Sequence, residues 1–99
     1  LNHIDTSKII DMSYLFCHFT EFNGDISEWD VSKVKTMEHM FDSCEFDGNI
    51  SSWNVSNVEN MQGMFFQSKY SGQNSGIKYW NVENCKNFKF SITLFVFIH

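Results

Sequence analysis

The side chains most able to hold a metal or act as a nucleophile are four histidines and three cysteines, Cys17, Cys44 and Cys85. Their spacing argues against both roles. A zinc site draws ligands from close pairs such as C-x-x-C or H-x-x-x-H, and the chain has neither. His18 adjoins Cys17, but neighbours on a helix point apart, so no catalytic Cys–His pair is expected. Three widely spaced cysteines do not form a disulfide framework. Cys44 falls on an apolar stripe, as suits one of the most buried residue types. Cys17 falls opposite Asp42, and Cys85 takes a core place. The carboxylates Asp25/Glu28, Asp42/Glu45 and Asp11 read as solvated. No calcium loop or phosphate-binding glycine loop is present. Asn49-Ile-Ser51 and Asn54-Val-Ser56 match the glycosylation sequon, but both read as structural polar positions. The expectation is therefore no enzyme, no cofactor, no catalytic residue and no metal.

Composition narrows the class further. Seven lysines, no arginine and a net charge of −5 suit neither nucleic acid nor an anionic membrane, since both want a basic surface. The absence of proline argues against a Pro-rich linker. With 42% hydrophobic and 19% charged residues, the chain must fold, and its eleven phenylalanines need burial. Ninety-nine residues make a single domain, 1–99. No basic n-region or apolar h-region of a secretory signal stands at the front of this stretch. The apolar run Phe90–Ile98 is too short to span a bilayer, which takes about 20 residues, so no membrane insertion is expected here.

An internal repeat organises the rest. Trp29-Asp-Val-Ser-Lys-Val-Lys-Thr-Met37 returns as Trp53-Asn-Val-Ser-Asn-Val-Glu-Asn-Met61, 24 positions on. Met40 and Phe41 return as Met64 and Phe65. Trp80 follows Trp53 by 27, and Asp5 to Ile9 precedes Asp30 to Val34 by 25. The units are approximately 4–28, 29–52, 53–79 and 80–99, the last divergent, with Phe88 in the methionine place. Stacked units put like residues in ladders: Ile26, Ile50 and Ile77; Trp29, Trp53 and Trp80; Met12, Met37 and Met61; Phe16, Phe41 and Phe65.

The spacing of Val34, Met37, Met40, Phe41 and Cys44 predicts one apolar helix face about three turns long. Ser7, Ser32 and Ser56 stand at the N-cap place, and Ser56 with Glu59 forms a capping box. A short strand is expected at each of Ile26, Ile50 and Ile77, parallel to its neighbours. Gly24 and Gly48 read as corners needing positive φ or close approach of a neighbour. The expected fold is α/β: a short right-handed leucine-rich-repeat-like solenoid of about three and a half repeats, each one parallel strand plus one helix. Phe90 to Ile98 begins with strand alternation and reads as a terminal cap, with docking or self-association as the competing reading.

The pattern W-[DN]-V-S-[KN]-V-x-x-M-x-x-M-F followed by F-[ND]-G-[DN]-I-S-x-W resembles the BspA-like leucine-rich-repeat surface proteins, whose repeat of unknown function is abundant in mycoplasma surface lipoproteins. That resemblance implies a surface or secreted module that adheres to, or binds, a protein or glycan partner. The face beside the expected strands offers Asp25, Ser27, Glu28, Asn49, Ser51, Ser52, Lys78 and Tyr79 as the candidate interaction surface. The alternative is a structural packing module of a larger polypeptide or particle, with no ligand of its own.

Overall fold

The computed structural model describes residues 1–70, 77 and 80–89. The predicted α/β solenoid is not what forms. Among the described residues there is no α-helix, and strand pairing is confined to three isolated parallel bridges, Asp11–Thr36, Thr36–Asn60 and Asn60–Asn87. The isoleucine positions 26, 50 and 77 carry no strand; Ile77 lies in a 3-10 turn. The chain packs into a globule of 33 × 28 × 22 Å built from turns.

The turns recur in register. Ile4 N–H donates to Leu1 O, Trp29 to Ile26 O, Trp53 to Ile50 O and Trp80 to Ile77 O, at 2.9–3.2 Å. Ile9, Val34, Val58 and Cys85 donate likewise to Thr6, Val31, Val55 and Val82. Four layers therefore begin at Leu1, Ile26, Ile50 and Ile77. The serines expected to cap helices instead close Asx turns. Ser7, Ser32 and Ser56 give their backbone N–H to Asp5, Asp30 and Asn54 Oδ1 at 3.0, 2.9 and 3.1 Å. These side chains compete with helical hydrogen bonding in just this way.

The segment read as helix is a run of turns. Leu15 N–H bonds Met12 O and Phe19 N–H bonds Phe16 O, with Tyr14 and His18 at φ +62° and +61°. That is the type II pattern, positive φ at the third residue. His39 and Ser43, then Gly63 and Gln67, repeat it. Turns that restart every four residues put Met12 and Phe16, Met37 and Phe41, and Met61 and Phe65 inward. A helix face has the same i, i+4 spacing, so the pattern alone could not separate them. The hydrogen bonds do. The N–H groups of Met12, Tyr14, Phe16 and His18 leave their layer for the carbonyls of Thr36, Glu38, Met40 and Asp42, at 2.8–3.0 Å. Met37, His39, Phe41 and Ser43 donate in turn to Asn60, Gln62, Met64 and Phe66.

Aromatic ladders fill the interior. Phe16 stacks on Phe41 and Phe41 on Phe65 at 5.7 and 5.5 Å; Trp53 stacks on Trp80 at 6.4 Å. A second file, Phe22, Phe46 and Tyr70, runs alongside at 6.0 and 6.2 Å. Such pairs add about 0.5–1.5 kcal/mol each beyond burial. The tryptophans also tie layers together: Trp53 Nε1–H donates to Ile26 O and Trp80 Nε1–H to Ile50 O, both 3.0 Å. Gly24 and Gly48 lie outside the positive-φ set; a Cβ there would press on the rings of Phe22 and Phe46 at 2.9 and 2.7 Å. Close approach is what they supply. The run Phe90–Ile98 lies outside the described residues.

Candidate functional site

Register brings the described candidate interaction residues together along one corner, where several of their polar atoms serve the corner itself. Asp25 Oδ1 accepts from Ser27 N–H at 3.0 Å, and Asn49 Oδ1 from Ser51 N–H at 2.9 Å. Ser52 Oγ donates to Ser27 O at 2.9 Å, and Glu28 N–H is capped by Asn2 Oδ1. Both sequon asparagines, Asn49 and Asn54, are engaged through Oδ1 in this way. Lys78 and Tyr79 lie outside the described residues.

A second assembly joins the first two layers. Its centre is Asp42, a buried carboxylate. Oδ2 meets His39 Nδ1 at 2.8 Å, Oδ1 accepts from Ser43 Oγ at 2.8 Å, and the Asp42 carbonyl accepts from His18 N–H at 2.8 Å. Cys17 Sγ, a His18 ring nitrogen and an Asp42 oxygen all lie within 4.8 Å of one another. Burial first, then the carboxylate of Asp42 and the thiol of Cys44, push the Cys17 thiol above its ordinary value. His39 is stacked on Tyr14 at 5.2 Å and covers Gly63, where a methyl would press on the ring at Cε1. Sequence reasoning separated Cys17 from His18 because it assumed a helix. The offset of 25 that sets Cys17 beside Asp42 was the signal for the grouping.

The third feature is the open side of the first layer. Leu1, Ile4, Ile9, Leu15 and Phe19 occupy the places of Ile26, Trp29, Val34, Met40 and Cys44 one layer on. Leu15 is 46% exposed and Met40 0%; Phe19 is 56% exposed and Cys44 2%. No donor among the described residues meets the carbonyls of Asp11, Ser13, Leu15 and Cys17, whose counterparts in layer two accept the interlayer bonds. The first layer thus presents apolar side chains beside a row of unpaired acceptors. Sequence reasoning missed this surface, although it placed Leu15 and Ile9 on the repeat.

The family model described as "Mycoplasma protein of unknown function, DUF285" matches residues 1–94. The chain belongs to the DUF285 family. This corrects the resemblance to BspA-like leucine-rich-repeat surface proteins: no such family matches. The motif that suggested it, a tryptophan, two valines and paired methionines at fixed spacing, serves in this DUF285 chain to restart turns rather than to alternate strand and helix. The descriptions leucine-rich repeat and solenoid fall with it. No curated protein and no solved structure matches the DUF285 chain.

Proposed function

We propose that this DUF285 chain is a non-catalytic binding module whose partner is a polypeptide seated on the open side of the first layer. The contrast between Leu15 and Met40 carries the reading. Among the described residues, one column of apolar side chains is sealed where a layer covers it and bare where none does. Contiguous exposed apolar surface marks contact sites. The unpaired carbonyls of residues 11, 13, 15 and 17 add direction, since an incoming extended segment can supply N–H groups to them, as in strand addition. A glycan is the poorer occupant, because the corner at Asp25, Asn49 and Ser52 spends its polar atoms on closing its own turns.

The test is a calorimetric titration of the full chain with a synthetic peptide of residues 29–52, whose N–H pattern matches the acceptor row. Saturable binding that Phe19→Lys abolishes supports the reading. No heat of binding up to millimolar peptide, or binding indifferent to Phe19→Lys, overturns it.

A further inference from the structure

The cluster around Asp42 breaks the pattern of its neighbours. In adjoining columns like stands over like, as with Phe16, Phe41 and Phe65. The column of Cys17 continues as Asp42 and Phe66, and that of His18 as Ser43 and Gln67. The framework needs none of these types, yet three different ligand chemistries converge: a thiol, an imidazole and a carboxylate, within 4.8 Å. Around a tetrahedral zinc ion, bonds of about 2.0–2.3 Å set donors about 3.4–3.8 Å apart. The remaining closure of about 1 Å falls to His18, an exposed side chain.

The surroundings suit a ligand set. The His18 backbone is pinned to the Asp42 carbonyl at 2.8 Å, so two of the three donors share one rigid base. His39 Nδ1 and Ser43 Oγ orient the carboxylate, one on each oxygen. Each oxygen keeps a second lone pair for a cation, and carboxylates that ligate metals are themselves held by hydrogen bonds of this kind. Without a cation, a thiolate beside the Asp42 carboxylate is unfavourable. A divalent ion between them reverses the sign of that interaction.

We propose that Cys17, His18 and Asp42 bind a divalent transition-metal ion of the zinc class, with water completing the tetrahedron. The close-pair rule that spoke against a metal site does not apply, because two ligands are adjacent on one turn and the third comes from the layer beneath. On binding, the thiol releases its proton to solvent and sulfur coordinates as thiolate.

Cobalt(II) is the probe, titrated into the reduced full chain and followed by the near-ultraviolet sulfur-to-cobalt charge-transfer band. One cobalt per chain with that band is expected, displaced by zinc. Cys17→Ser should abolish the band, His18→Gln should weaken binding at least tenfold, and Cys85→Ser should change neither. Absence of the band at millimolar cobalt, or its persistence in Cys17→Ser, overturns the proposal. Should Cys17→Ser fail to fold, His18→Gln decides, because an exposed side chain can be changed without loss of the core: unchanged cobalt affinity refutes the site. Zinc should also raise the thermal midpoint of the wild type and leave that of His18→Gln unmoved.

Discussion

Leu15 and Met40 hold the same place in successive layers, as do Phe19 and Cys44, yet the first layer's members face solvent and the second layer's are sealed. The backbone is the same in both: a turn restarts every four residues, and alternate N–H groups reach toward the next layer. Among the described residues, what differs is whether another layer lies outside. Burial in this chain is conferred by the neighbouring layer more than by residue type. Leu1 and Asn2, in the first layer, help to cover the second: Leu1 O takes the Trp29 indole N–H at 3.0 Å as Ile26 O takes that of Trp53, and Asn2 Oδ1 caps Glu28 N–H. The opposite side of the first layer is the surface assigned to a partner.

The comparison can be broken most sharply in the core. Phe41 stacks on Phe16, Phe46 and Phe65, so Phe41→Ala should cost about 3–5 kcal/mol in urea denaturation. Leu15→Ala, in the open layer, should stay within about 0.5 kcal/mol. Equal losses would mean that the first layer is covered after all.

Gly63 tests the column that runs Tyr14, His39, Gly63. Its φ of +63° and the His39 ring above it both oppose a side chain. Gly63→Ala should cost about 1–3 kcal/mol, read as a lower thermal midpoint. Tyr14 is tolerated at a similar φ because its ring lies against His39 with open space outside. Trp53→Phe removes one of two donors to Ile26 O, which keeps its bond from Trp29 N–H, so a loss of about 0.5–1.5 kcal/mol, that of a single hydrogen bond, is expected.

The smallest effect concerns acid. Asp5 and Asp30 are held below the ordinary 3.8, first by the hydroxyls of Ser7 and Ser32. Asp11 and Asp25 are lowered first by the backbone N–H of Ser13 and Ser27. A carboxyl lowered by folding adds stability above its unfolded value, and this is lost as pH falls through its folded value. Denaturation midpoints should therefore drop below about pH 4. Asp30→Asn should flatten that drop while keeping the turn, because Asn54 and Asn81 close the same turn in the same column.

Much of this was legible. The offsets of 25 and 27 placed Phe16 over Phe41 and Trp53 over Trp80. The local structure was not, because a four-residue turn period and a 3.6-residue helix period share their i, i+4 contacts over so short a run. Propensity pointed the other way: His39, Asp42 and Ser43 are poor helix residues. The grouping at Asp42 was hidden by that same error, since it depends on where interlayer bonds set His18. The open side of the first layer was not legible, because register places Leu15 and Phe19 in the columns of Met40 and Cys44 and only their exposure sets them apart.

The central claim, that one column is core in the second layer and contact surface in the first, is tested most directly by placing the same charge in both. Urea denaturation of Met40→Lys and Leu15→Lys should show the first unfolded or severely weakened and the second at the wild-type midpoint. A matching loss of stability in the two variants would contradict it.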